Sequence, residues 1–162
     1  MHRLTKTTLF AILACLATIV SSATAAPADL DPAAAVNAGD IMRLLGGNWK
    51  SRAPAPGAVV YTELGGNREI HVHLGNASGK TIAALKQSLM ASGEPVEDVR
   101  GLGTAAIYRP ERNQVDVEIV RQRAAGDVTG DDLWLSVTAY NVGERTIKQS
   151  VLALAKRAAA RL

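Results

Sequence analysis

Alternation of apolar and polar residues is the strongest constraint this sequence places on its fold. Val115, Val117 and Ile119 alternate with Asp116 and Glu118, and Ile70, Val72 and Leu74 alternate with Glu69, His71 and His73. A period of two puts each set on one face of a strand. Residues 58–64, 68–74, 104–109, 114–122 and 133–140 all read as strands on this basis. In the last, Leu133, Leu135, Val137 and Ala139 face one way and Trp134, Ser136, Thr138 and Tyr140 the other. Turns are expected at 65–67 and 110–113. A three-residue loop at 65–67 sets Thr62 opposite Ile70, so that Val60, Thr62 and Leu64 share the apolar side. The same register sets Tyr61 opposite His71 and Glu63 opposite Glu69.

Helical signals fill the gaps between strands. Asn37 and Asp40 have the spacing of a capping box ahead of Ile41, Leu44 and Leu45, and Gly46-Gly47 ends that helix. Residues 81–91 carry Ile82, Leu85 and Leu89 on one stripe, and 144–162 carry Ile147, Val151, Leu154, Ala155 and Ala158. Trp49 to Gly57, with two prolines, reads as a connecting loop. The expected order is αββαβββα: a two-layer α+β domain in which helices cover one face of a mainly antiparallel five-stranded sheet.

The first 25 residues carry a different message. Arg3 and Lys6 precede an apolar run from Leu9 to Val20, followed by Ala23-Thr24-Ala25. This is the order of a secretory signal peptide, with cleavage after Ala25 because the next position would leave Pro27 first. The apolar run is shorter than the roughly 18 residues a spanning helix needs, so no transmembrane segment is expected. Ile12-Leu13-Ala14-Cys15 is a loose lipobox, and lipidation at Cys15 is the alternative route. The expected location is the periplasm or the medium. Residues 26–36 read as a flexible leader, either loose or a short helix starting at Asp31-Pro32, and 37–162 as one domain.

Cleavage changes the composition in ways that exclude functions. The single cysteine is lost, and with it disulfides, thiolate nucleophiles and Cys-bound zinc. Two of the 18 basic residues and none of the 15 acidic ones leave, so sixteen face fifteen and a nucleic-acid partner is not indicated. His71 and His73 are the remaining histidines, general bases are scarce, and no nucleophile elbow or Ser/His/Asp order is present. The reading is a non-enzymatic domain without a cofactor.

Several motifs carry chemistry. Gly75-Asn76-Ala77-Ser78-Gly79-Lys80-Thr81 lies between a strand and a helix, as a phosphate loop does, but has three residues between its glycines where four are needed. Ser78 or Asn76 as a helix cap is the plainer reading. Glu69, His71 and His73 share one strand face and offer a donor set for zinc, copper or nickel; a solvated sheet face is the competing reading. The same outer face would carry Tyr61, Trp134 and Tyr140 beside Asp116 and Glu118, large aromatics next to acids that suit a protein or peptide partner. Residues 126–132, with Asp127, Asp131 and Asp132, lack calcium-loop spacing. Lys148, Lys156, Arg157 and Arg161 on the last helix would suit a helix C-terminus or an anionic surface.

Two segments also resemble a known group. Asn37 to Gly46 is similar to the opening helix of small exported bacterial domains, and Val99-Arg100-Gly101-Leu102-Gly103-Thr104-Ala105-Ala106 resembles the strand entry of small secreted lipoprotein-like α+β domains of unassigned function. The resemblance implies an exported, non-enzymatic module. The expected function is therefore binding of an envelope protein or peptide, of inhibitor or immunity type, through Tyr61, Asp116, Glu118, Trp134 and Tyr140. The alternative is metal binding through Glu69, His71 and His73.

Overall fold

The structure, a computed structural model, describes residues 30–120 and 132–162. The signal-peptide segment with Cys15, and Asp127 and Asp131 of the Gly/Asp loop, lie outside the described residues.

The chain forms an α+β fold around one antiparallel sheet. Three strands, β1 (Trp49–Ala55), β2 (Ala58–Glu63) and β3 (Glu69–Asn76), make a first meander. Four more, β4 (Glu97–Asp98), β5 (Ala105–Arg109), β6 (Gln114–Ile119) and β7 (Leu133–Tyr140), make a second. The meanders join in the middle, where β7 pairs with β3, giving the order β1-β2-β3-β7-β6-β5-β4. Seven strands replace the expected five. Trp49 to Ala55 is an edge strand rather than a connecting loop, and two-residue β4 guards the other edge. Edge strands need not alternate, because one side of their backbone and most of their side chains face solvent. The lysine, arginine and proline of β1 discourage a further strand from adding there.

Helices α1 (Pro32–Ala35), α2 (Ala38–Leu45) and α4 (Glu144–Ala159) cover one face of the sheet. Asp31 caps α1 by accepting from the Ala33 backbone, with Pro32 in the first turn. Leu30, Ala35 and Val36 are buried in the main core, so residues 30–36 are a packed short helix and not a loose leader. The buried stripe of α4 is the expected one: Ile147, Val151, Leu154, Ala155 and Ala158. These side chains meet Ile70, Val72, Leu74, Val115, Val117, Leu133, Leu135 and Val137 from the sheet.

Helix α3 (Ile82–Ala91) lies on the opposite face, correcting the expectation that all helices share one side. Its Ile82 and Leu89 pack on Ile107, with Leu85, Val96, Ala105 and Trp134 around them. The β5 sequence, Ala105-Ala106-Ile107-Tyr108, is apolar at both parities, which is what a strand covered on both faces requires.

The β2–β3 register is one residue away from the expected one. Thr62 pairs with Glu69, Tyr61 with Ile70 and Val60 with His71. The turn holds four residues, 64–67, because Glu63 pairs with Arg68 through both backbone and side chains. A slip of one residue inverts the faces of a strand. Val59 and Tyr61 therefore enter the core, and Leu64 sits exposed in the turn. Glu63 faces Arg68, so the two carboxylates of Glu63 and Glu69 are not set opposite each other.

Candidate binding site

The register decides which side chains reach the outer face, meaning the side away from α1, α2 and α4. One row crosses the strands as Ile107, Asp116, Ser136 and His73, and the next as Ala105, Glu118 and Trp134. A third runs Arg109, Gln114, Thr138, His71 and Val60, and a fourth holds Tyr140, Glu69 and Thr62. Helix α3 covers only the β5–β6 end, so among the described residues the face splits into a covered half, a cleft at the margin of α3, and an open half over β2, β3 and β7.

Three of the expected partner residues belong to the cleft or its wall. Asp116 and Trp134 line a cleft of about 430 Å³ together with Lys80, Leu85, Arg109 and Ser136. Glu118, one row over, accepts a hydrogen bond from the Ile82 backbone N–H at 2.8 Å. That carboxylate occupies the N-terminus of α3, where the near phosphate loop would have placed an anion. The side-chain cap is Thr81, which accepts from Ala84, rather than Ser78 or Asn76.

A connected polar network fixes the cleft floor. The Trp134 indole N–H donates to Ser136 Oγ at 3.1 Å, and the Ser136 hydroxyl donates to Asp116 Oδ1. Gln114 Nε2 donates to the same oxygen at 2.8 Å. Asp116 is 2 % exposed, and its Oδ2 receives no hydrogen bond from the described residues. The nearest cation, Arg109 Nη1, stands 3.7 Å from Oδ2. Arg109 directs Nε and Nη2 at Glu94, at 2.7 and 3.1 Å. The Arg109 hydrogen bonds hold the Glu94 carboxyl below the usual carboxylate range. Sequence reasoning placed Ser136 on this face but gave it no role, and it missed Lys80, Leu85, Arg109 and Gln114. The outward parity of Arg109, two residues on from Ile107, was the signal for it.

Tyr61 is not on this face. It is 1 % exposed, within the core, and its hydroxyl donates to the Val36 carbonyl oxygen. Burial, followed by the charges of Asp31 and Asp40, pushes its pKa up to about 12. Tyr140 does face outward, 45 % exposed, on the open half, with its ring 4.7 Å from that of His71.

Glu69, His71 and His73 share the outer side of β3, as alternation requires. His71 Nε2 and Glu69 Oε2 are 2.9 Å apart, and this contact with His71 lowers the Glu69 pKa. Among the described residues no group of three or more His, Cys, Asp or Glu side chains is arranged to hold a metal ion.

Two arginines at the C-terminal end, Arg157 in α4 and Arg161 just beyond it, are drawn into the fold. Arg157 and Arg161 converge with Arg43 on Asp40, a fully buried carboxylate. Arg161 leads the causes that hold the Asp40 carboxyl far below the usual carboxylate range. Asp40 also closes the expected capping box with Asn37. Lys148 pairs with Glu97 and lies over the Tyr108 ring.

Among the described residues no helix is long and apolar enough to cross a membrane. No family model, curated protein or solved structure matches the chain.

Proposed function

We propose that this chain is an exported, non-catalytic domain that holds a protein or peptide partner in the cleft between α3 and the outer sheet face. The observation that carries the proposal is the cleft itself: an aromatic wall, Trp134, with Leu85 on the α3 side and Ser136, Gln114 and the Asp116 carboxylate along its floor. An aromatic side chain beside convergent polar groups in a concave, partly apolar site is the usual makeup of a recognition pocket. Export is supported by the order of Arg3, Lys6, the Leu9–Val20 run and Ala23–Ala25. Cleavage after Ala25 would also keep Leu30, which is buried in the core, on the retained side.

The use of the polar atoms supports the non-catalytic reading. Ser136 is the only hydroxyl beside Asp116 in its row. Its hydroxyl donates a hydrogen bond to Asp116 and accepts one from Trp134. His73 follows Ser136 in the row, on the side away from Asp116, so the three do not have the acid–base–nucleophile order.

The test starts by isolating a partner from envelope extract, purifying it, and titrating it calorimetrically. Trp134→Ala should weaken binding about 30-fold, the scale of a central aromatic anchor. Tyr140→Ala, on the open half, should change it less than about threefold. Equal affinity for wild type and Trp134→Ala would remove the cleft as the site.

A further inference from the structure

We infer that the guanidinium groups of Arg43, Arg157 and Arg161 form a binding site for a phosphate group, on the side of the sheet opposite the cleft and independent of it. The site is built on Asp40. Arg161 alone already spans that buried carboxylate, with Nη1 2.6 Å from Oδ2 and Nη2 3.1 Å from Oδ1. Arg43 Nη2 and Arg157 Nη1 donate to the same Oδ1, at 2.5 and 3.1 Å. Sharing one oxygen crowds three like charges together, and they face a single negative charge. No other carboxylate among the described residues pairs with any of the three arginines. One bidentate arginine is enough to pair a buried carboxylate. The second and third add mutual repulsion, and each ordered long side chain gives up rotamer freedom. A second anion removes that cost.

Backbone partial charges do not supply it. Asp40 lies in the first turn of α2 and Arg157 in the last turn of α4, so a positive helix end meets a negative one and the two offset. The donors for an added anion are in place. Arg43 Nε and Nη1, and Arg157 Nε and Nη2, donate to no described residue. The Arg43, Arg157 and Arg161 side chains are 59, 38 and 37 % exposed. Arg161 Nη1 also donates to the Ala35 carbonyl oxygen at 2.9 Å, so the inner side of the cluster is fixed while its outer side meets solvent. A phosphate group brings up to two negative charges and several acceptor oxygens. These match the surplus charge and the planar N–H forks of arginine. A carboxylate brings one charge and would leave half the surplus. Free phosphate and the phosphate of a lipid headgroup share this chemistry.

The purified protein is titrated with inorganic phosphate at constant ionic strength, and separately with chloride. Binding is read from the Nε–H resonances of the three arginines. Phosphate should shift them saturably and chloride should not. Arg43→Ala and Arg157→Ala should each weaken phosphate binding about tenfold, the scale of one hydrogen bond between charged groups. Both leave the Arg161–Asp40 pair in place. Lys148→Ala removes an equal charge from an exposed pair elsewhere on α4 and should leave the affinity unchanged. No saturable shift in the wild type, the same shift with chloride, or an equal loss in Lys148→Ala would overturn the inference; the first two need no variant to fold. Cosedimentation with phosphatidylcholine vesicles, with and without phosphatidic acid, names the source. Phosphate binding together with retention on phosphatidic acid that the arginine variants weaken assigns a headgroup. Phosphate binding without such retention assigns free phosphate. The cleft and its partner are untouched by every one of these outcomes.

Discussion

Asp40 shows how much a single residue does that a sequence pattern records only in part. The Asn37/Asp40 spacing revealed a capping box, which the structure contains. It did not reveal that three arginines, two of them from the far end of the chain, would meet the same carboxylate. Long-range pairing has no periodicity to read. The linkage has a definite sign. The folded pKa of Asp40 lies below its unfolded value, so the unfolded chain binds more protons in acid. The stabilisation is complete above about pH 4 and is lost as pH falls through the lowered folded value. Asp40→Ala should cost about 2–4 kcal/mol at neutral pH, for the cap and the buried pairing together. It should also flatten the acid limb of the stability curve; urea melts of both proteins between pH 2 and 7 check this. Tyr61 supplies a second residue-scale test. Tyr61→Phe strips the donor from the buried Val36 carbonyl and should destabilise by about 1–2 kcal/mol. A surface tyrosine on the outer face would give almost nothing.

At the scale of elements, strong alternation was a reliable guide and mixed parity was not. Strand β7 and the α4 stripe emerged as expected because every inward position is apolar. In β2, Val59, Val60 and Tyr61 are all buried, so both faces carry an apolar residue and the pattern alone could not choose. The Glu63–Arg68 pair chose instead, by lengthening the turn. The placement of α3 was hidden for a related reason: its apolar stripe fits either side of a sheet, and only the two-sided apolarity of β5 tells which. Glu118, expected to meet a partner, is committed to the α3 N-terminus. Glu118→Ala should therefore destabilise by about 1 kcal/mol in denaturant melts. Gly103, within the Val99–Ala106 segment, has a plain structural need. Its φ is +59°, and an added Cβ would lie 2.5 Å from the Glu118 carbonyl oxygen. Gly103→Ala should cost roughly 2–4 kcal/mol, seen as a lowered Tm.

Across the whole molecule, two meanders meet at β3 and β7, and helices of unequal coverage lie on the two faces. The face under α1, α2 and α4 holds the main core. Among the described residues the other is covered only where α3 lies, and the margin of that cover makes the cleft. The broad class, α+β on a mainly antiparallel sheet, was legible because it follows from strand and helix periods. The edge strands and the division of the outer face were not, since both depend on packing between distant segments. The proposal places recognition of the partner at this margin and leaves the core under the opposite face to stability. The most direct test is an amide-resolved chemical-shift map of the purified protein on addition of its isolated partner. The changes should cluster at residues 80–85, 114–116 and 134–136. Changes confined to α2 and α4, or to edge strand β1, would contradict the account.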